Sequence, residues 1–218
     1  MVTTAESRRD RGMRLKRTRI FDAAQALFED RAFDAVTTQA VADRADVAAG
    51  TVFRYAATKS ELLLMVYNEE FRLARIEGER AARTAGAGAE SVFALLLPTL
   101  RRAWLHPANS AAYQRELLFG APEEEYRAAG LAEVALLERS IAAVLTVPPL
   151  SASSEQARLA ASAAFAALHL AIARMSTGAH PEHDAEVDLR EQVQIVVHGI
   201  RPAGGTHDHA GDTRQREE

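Results

Sequence analysis

Apolar residues in this chain recur at the spacing of one face of an α-helix, not at the alternation typical of a β-strand. Ile20, Ala24, Leu27 and Phe28 stand at i, i+4, i+7 and i+8, which places them on one helical face. No stretch alternates apolar with polar residues for long, and 45 of the 218 residues are alanine, the residue with the highest helix propensity. The pattern predicts an all-α fold, and the chain is long enough to bury a hydrophobic core.

Capping residues, glycines and prolines predict where the helices begin and end. Thr37 and Thr38 can cap a short second helix, and Thr58 with Glu61 forms a capping box that opens a long fourth helix at 59–83. That fourth helix has two apolar stripes, so we expect it to connect two helical units. The remaining helices are expected at 16–31, 48–55, 90–106 with a bend at Pro98, 109–119, 123–146, 154–177 and 184–199.

Charge is distributed unevenly along the chain. Residues 1–21 contain seven basic residues against Glu6 and Asp10, whereas residues 63–218 contain 15 basic and 21 acidic residues. A basic end on a chain of net charge −4 is typical of contact with a polyanion, although a solvated basic tail without a partner explains the charge equally well. We expect disordered segments at 1–15 and 201–218.

The absence of cysteine from the sequence excludes disulfide scaffolds, zinc knuckles and iron–sulfur clusters. The N-terminus lacks a secretion signal, and the apolar run Leu159 to Ala173 is 15 residues long, short of the roughly 20 that span a bilayer. We therefore expect a cytoplasmic chain without a membrane partner. No metal or cofactor is predicted, since His180 and His183 only flank Pro181, and His207 and His209 fall in the tail.

Two short helices around a tight turn, between an earlier helix and a capped later one, form a helix-turn-helix arrangement. The second short helix would enter the DNA major groove, where small residues at its start permit close approach. Thr51, Arg54 and Tyr55 can reach bases or phosphates, and Lys59 can meet a phosphate. Phe53 could either pack within the protein or contact DNA. Val52 is expected in the core.

Residues 19–28, Thr37-Thr38, Val41-Ala42 and the run from Val47 to Leu62 resemble the DNA-binding domain of the TetR family of transcriptional regulators. The resemblance covers roughly residues 16–67 and implies a DNA-binding domain at 16–62, followed by a helical ligand-binding and dimerisation domain at 63–200. The predicted DNA-binding residues are Lys16, Arg17, Thr38, Ala48, Ala49, Gly50, Thr51, Phe53, Arg54, Tyr55 and Lys59.

The sequence departs from the usual family pattern at four positions. Ala32 and Asp46 stand where the family usually has glycine, Ala48 where it has Ser or Thr, and Ala56 where it has Phe. Asp46 remains compatible with a turn, because aspartate enters left-handed conformations more readily than most residues. Ala48 lacks a capping oxygen, which costs about 1 kcal/mol of helix stability.

The larger helical domain is expected to hold a dimer interface and a ligand pocket. Helix-turn-helix proteins bind two half-sites as symmetric dimers, and the last two helices could form a four-helix bundle with a second copy. The predicted interface residues are Ala160, Ala163, Ala164, Ala167, Ala171, Leu189, Val193, Val196 and Val197. The resemblance also implies a small-molecule pocket, with candidates Phe71, Phe93, Leu97, Trp104, Tyr113, Leu117, Phe119 and His169; these large side chains could equally be core.

The sequence thus predicts a homodimeric repressor that leaves a palindromic operator in double-stranded DNA when a small, largely apolar effector binds. A transcriptional activator and a ligand-independent DNA-binding protein remain alternatives. An all-α enzyme is the third reading, but the sequence shows no nucleophile motif, metal-ligand spacing or phosphate-binding loop.

Overall fold

The computed structural model of the protein describes residues 8–122, 124–179, 182 and 184–200. Over these residues the chain forms nine α-helices and one 3₁₀ turn, so the predicted all-α class is confirmed. The helices are α1 (Arg8–Asp30), α2 (Thr38–Ala45), α3 (Ala49–Val52), α4 (Lys59–Ala82), α5 (Ala89–Leu105), α6 (Pro107–Phe119), α7 (Glu125–Thr146), α8 (Ser154–Thr177) and α9 (Ala185–His198), with the 3₁₀ turn at Phe33–Ala35.

Some of the predicted features fall on positions outside the described residues. These are residues 1–7 of the basic arm, the tail at 201–218, and Glu123, His180, His183, His207 and His209.

Thr37 and Thr58 cap α2 and α4 as predicted, but the capping box predicted at Thr58 is only half formed, because the Glu61 side chain bonds to the residue before the cap. The Thr37 hydroxyl accepts a hydrogen bond from the Ala40 N–H at 3.1 Å. The Thr58 hydroxyl accepts one from the Glu61 N–H at 3.0 Å, and the Glu61 carboxylate reaches back to the Ala57 N–H at 2.8 Å. These bonds satisfy N–H groups that a helix leaves unpaired at its start, and they fix where α2 and α4 begin.

The first helix begins earlier than the sequence predicts. Helix α1 starts at Arg8, so the expectation of a disordered segment is wrong for residues 8–15. Arginine and lysine are good helix formers, and a basic composition is therefore compatible with a continuous helix. The Tyr55 hydroxyl donates a hydrogen bond to the Met13 carbonyl at 3.1 Å, which fastens this extension to the segment after α3.

One continuous hydrophobic core joins the two halves of the chain. It includes Ile20 and Phe28 of α1, Leu63 of α4, and Leu137 and Leu168 of α7 and α8. Because α4 contributes to the core along most of its length, it is the connector that its two apolar stripes predict.

Helices α4 and α5 pack with their backbones in direct contact. A Cβ atom added at Gly78 would lie 2.4 Å from the Leu95 carbonyl oxygen, so only glycine permits this approach. Pro98 lies inside α5, which continues past it to Leu105.

Of the described helices, α8 alone is long and apolar enough to cross a membrane by length and composition. One of its faces, with Ala157, Ala161 and Leu168, is buried in the core of the chain. Packing in the core of the chain therefore accounts for the apolar residues on this face of α8.

Candidate DNA-binding surface and interior cavity

Helices α2 and α3 are joined by a turn that α1 holds in place. Asp46 adopts the left-handed conformation with φ 50° and ψ 55°, as its position at the family's usual glycine requires. The Arg19 guanidinium donates to the Asp46 carbonyl and to its carboxylate, both at 2.8 Å. The first helix thus fixes the angle at which the chain enters α3.

Helix α3 is a single turn, shorter than the predicted 48–55 segment. The N–H groups of Arg54 and Tyr55 bond to carbonyls three residues back, at 3.2 and 2.8 Å, and this tighter pattern ends the α-helix at Val52. Val52 is fully buried, as predicted. Ala48, Gly50, Phe53 and Arg54 are exposed, and Ala49, Thr51 and Tyr55 are half-buried.

The exposed face of α3 carries small, accessible residues at the start of the helix. Ala48 makes no side-chain cap, and an added Cβ at Gly50 would meet no atom within 4 Å. Phe53 is 51 % exposed, so it is not a core residue. The small residues on this face would let the helix approach the base edges of a DNA groove closely, with Thr51 and Arg54 beside them.

Two predicted DNA contacts have structural roles within the protein. The Lys59 ammonium donates to the Phe33 carbonyl at 3.0 Å and to the Asp34 carbonyl at 3.4 Å, and it lies 4.2 Å from the centroid of the Phe33 ring. Tyr55 holds α1 through Met13. Both residues therefore hold neighbouring segments of the protein together. A contact with DNA would use the hydrogen-bonding capacity of their side chains that these bonds do not occupy.

The other predicted contacts lie on α1 and α2. Lys16 and Arg17 are exposed on α1, and Thr38 is the half-buried first residue of α2. Their placement leaves the two basic side chains accessible to a polyanion.

A largely apolar cavity of about 150 Å³ lies between α1, α4, α5, α6 and α8. Among its lining residues are Gln25, Phe28 and Glu29 of α1. Helix α1, which together with α2 and α3 forms the candidate DNA-binding unit, is therefore part of the cavity wall. A ligand in the cavity would contact that unit through α1.

The structure brings together half of the predicted pocket residues. Phe71, Tyr113, Leu117 and His169 line the cavity, whereas Phe93, Leu97, Trp104 and Phe119 do not. Phe93 is buried in the core beneath the Arg190 guanidinium, 4.1 Å from its ring centroid, and Leu97 is a half-buried residue packed against the core. Trp104 and Phe119 are 61 % and 82 % exposed, because they stand on outward faces of α5 and α6.

Burial favours the uncharged form of three side chains that line the cavity. It lowers the pKa of the His169 imidazole to about 4, raises the pKa of the Tyr67 hydroxyl to about 12, and raises that of Tyr113 still further from its usual value. The Tyr113 hydroxyl donates to Asn68 Oδ1 at 2.9 Å. At neutral pH these side chains present neutral donors and acceptors.

Asn109, which the sequence did not single out, joins the start of α6 to the end of α1. Its Nδ2 donates to the Phe28 and Arg31 carbonyls at 2.7 and 3.0 Å, and its Oδ1 accepts from the Phe33 N–H at 2.6 Å. Asn109 is 2 % exposed, and its neighbour Ser110 lines the cavity with Phe28. An asparagine near a helix start is common, so the sequence offers no signal that distinguishes this one.

Most of the predicted dimer residues lie on the faces of α8 and α9 that pack inside the chain. Ala160, Ala164, Ala171, Leu189, Val193 and Val197 are buried within the chain itself. They pack against other helices of the same chain. Ala163 is exposed, and Ala167 and Val196 are half-buried.

A different stripe on the same two helices is open. On α8, Leu159, Ala163, Ala166 and Leu170 stand at i, i+4, i+7 and i+11, and all are exposed. On α9, Val187 and Ile195 are 52 % and 72 % exposed and stand eight residues apart on one face. The two helices named from the sequence thus carry exposed apolar residues, and of the predicted interface residues only Ala163 lies in this stripe.

Comparison with known proteins connects these features to regulators of transcription. Residues 20–66 match the sequence model of the family described as bacterial regulatory proteins, tetR family. The HTH-type transcriptional repressor KstR of Mycolicibacterium smegmatis is 33 % identical over 106 residues, which cover 49 % of this chain and 52 % of the relative. KstR of Mycobacterium tuberculosis is 45 % identical over 76 residues, covering 35 % of this chain and 33 % of the relative.

The likeness to solved structures extends over most of the chain. FadR of Thermus thermophilus, a TetR family transcriptional repressor crystallised with lauroyl-CoA, superimposes with a TM-score of 0.65 at 24 % identity. The match covers 87 % of this chain and 98 % of that one. This similarity shows the fold, whereas the sequence matches span about half or less of the length of the curated relatives.

Proposed function

Since this chain belongs to the TetR family of bacterial regulatory proteins, we propose that it is a transcriptional repressor without enzymatic activity that binds a palindromic operator as a homodimer. A small, largely apolar ligand in the cavity releases it from DNA. The observation that carries the proposal is the exposed, small-residue face of α3 together with a cavity whose wall includes α1. Such a protein acts in the cytoplasm, where its operator lies.

The DNA-binding face supports reading of the major groove. That groove is about 12 Å wide and admits an α-helix whose first residues approach the base edges. Ala48 and Gly50 permit this approach, and Arg54 stands exposed on the same face. Lys16 and Arg17 on α1 add positive charge for phosphates.

Repression is favoured over activation by the curated relatives, which are named as transcriptional repressors. Release by a ligand is favoured by the cavity and by the acyl-CoA bound to the Thermus thermophilus relative. A ligand that separates α6 from α1 would strain the bonds of Asn109 and move the candidate DNA-binding unit. An activator or a ligand-independent DNA-binding protein would use the same α3 face, so only the regulatory outcome separates these alternatives.

Selection from random double-stranded DNA tests the proposed function. We expect enrichment of an inverted repeat, because two copies of α3 meet half-sites about one helical turn, roughly 34 Å, or a multiple of it apart. Arg54→Ala should weaken binding to the selected DNA about tenfold, while Arg83→Ala, an exposed arginine at the far end of α4, should not. Recovery of no sequence above the random background would refute the proposal, and a reporter gene distinguishes repression from activation.

We further propose that the open stripe of α8 and α9 is the dimer interface. Two copies of these helices would form a four-helix bundle that covers Leu159, Leu170, Val187 and Ile195. Ile195→Glu would place an unpaired charge in that bundle, so the dimer dissociation constant should rise at least about 100-fold, the equivalent of about 2.8 kcal/mol. Sedimentation velocity measures this shift.

The control for the interface is Phe119→Glu, which puts the same charge on another exposed apolar residue, 82 % exposed on α6. That variant should remain dimeric. A dimer that survives Ile195→Glu unchanged places the interface elsewhere.

A further inference from the structure

Resting on the proposed ligand-binding role, we infer the chemical class of the ligand: an uncharged, apolar molecule with one ketone or alcohol oxygen that hydrogen-bonds to Thr99 and His169. The inference concerns the part of the ligand that enters the cavity. It excludes molecules that would bury an ionised group there.

Two unpaired polar atoms point to the oxygen. Among the described residues, four buried side-chain polar atoms lack a hydrogen-bond partner in the protein, and two of them, Thr99 Oγ1 and His169 Nδ1, belong to residues that line this cavity. The other two, Glu124 Oε2 and Arg127 Nε, belong to residues outside it. Buried polar groups are nearly always paired, and an oxygen on a ligand in the cavity can supply the partner that the protein does not.

The other residues that line the cavity are the reason for proposing an apolar body for the ligand. Phe28, Phe71, Leu117, Leu168 and Ile172 contribute hydrophobic surface, and Phe165 packs edge-on against the His169 ring at 4.3 Å between centroids. A cavity of about 150 Å³ matches the size known to hold a benzene molecule. A six-membered ring is therefore a suitable probe of the interior.

The charges around the cavity disfavour an anion. Arg102 is the one arginine or lysine among the lining residues, and its guanidinium donates to Glu70 at 2.7 Å and to Glu77 at 3.1 Å. Glu29 adds a further negative charge, and burial holds the His169 imidazole neutral, with a pKa of about 4. A carboxylate inside would lose its hydration without gaining a free cation.

Five ring compounds test the class: cyclohexanone, cyclohexanol, methylcyclohexane, cyclohexanecarboxylate and cyclohexylamine. Dissociation constants for the full chain, measured by NMR titration at pH 7.5, should be at least about tenfold lower for the ketone and the alcohol than for the carboxylate. Thr99→Val removes the hydroxyl at nearly constant volume. It should weaken the alcohol roughly three- to tenfold, as loss of one hydrogen bond does, and leave methylcyclohexane unchanged.

Thr146→Val is the matched control, because Thr146 is exposed at the end of α7, and it should leave all five constants unaltered. The inference is overturned if the carboxylate or the amine binds as tightly as the ketone, if Thr99→Val affects the alcohol and the hydrocarbon alike, or if none of the five binds. These titrations contain no DNA. If the ketone binds as expected but leaves affinity for the selected DNA unchanged, the ligand class stands and the proposed release mechanism fails.

Discussion

Replacing Asn109 with alanine is expected to lower the free energy of unfolding by about 3–5 kcal/mol, because it leaves one N–H and two carbonyl groups without partners. The Phe33 N–H and the Phe28 carbonyl are the buried ones, so water cannot fully replace the amide there. The loss falls where α6 meets the end of α1. Urea unfolding followed by circular dichroism measures it.

Asn109→Asp separates the two halves of this contact. Its carboxylate can still accept from the Phe33 N–H, but it no longer donates to Phe28 and Arg31, so it should also be strongly destabilised. Ala108→Asn, which adds the same amide at an exposed neighbouring position, should change stability by no more than about 0.5 kcal/mol. A loss below about 1 kcal/mol in Asn109→Ala, the typical value for a single hydrogen bond, would show that the three bonds contribute little.

Gly50→Leu is expected to weaken binding to the selected DNA at least about 100-fold, the equivalent of about 2.8 kcal/mol, without destabilising the fold. An added Cβ at Gly50 meets nothing within 4 Å, and leucine has a higher helix propensity than glycine by up to about 1 kcal/mol. On DNA, the same side chain would occupy the space between α3 and the base edges. Fluorescence anisotropy with labelled DNA measures the affinity, and thermal unfolding checks the fold.

Two further variants grade this effect. Gly50→Ala adds a single methyl group and should lie between the wild type and Gly50→Leu in affinity. Ala81→Leu places the larger side chain on an exposed position near the end of α4, away from α3, and should bind DNA like the wild type. If Gly50→Leu keeps an affinity within about threefold of the wild type, a difference of less than about 0.7 kcal/mol, α3 does not approach DNA through this face.

Local chemistry explains why much of the fold could be predicted. A threonine followed three residues later by glutamate satisfies N–H groups of the same short segment, so Thr58 and Glu61 identify the start of α4 without knowledge of the rest of the chain. Asp46 similarly marks a left-handed turn. The helix-turn-helix arrangement is built from such short-range signals, which is why its place in the chain follows from the sequence, although α3 is shorter than predicted.

The partners of an apolar face depend on contacts between distant residues. Helix α8 carries small or apolar residues on several sides, and periodicity cannot distinguish Ala164, buried in its own protomer, from the exposed Ala163. The same ambiguity affects the cavity. Trp104 is large enough to suggest a pocket residue but faces outward. Thr99 lines the cavity, although a threonine in a helix gives no sequence signal for such a position.

The shared core around α4 bears on how operator specificity can change during evolution. The predicted boundary between residues 62 and 63 lies inside α4, and Leu62, Leu63 and Leu64 have no exposed surface. Recombination at that point would join core surfaces selected in different proteins, which the close packing of protein interiors rarely tolerates. Substitution at exposed positions of α3 and its flanks, such as Gly50 and Arg54, leaves this core intact. We therefore expect new operator specificities in chains of this architecture to arise by point mutation more readily than by exchange of whole DNA-binding units.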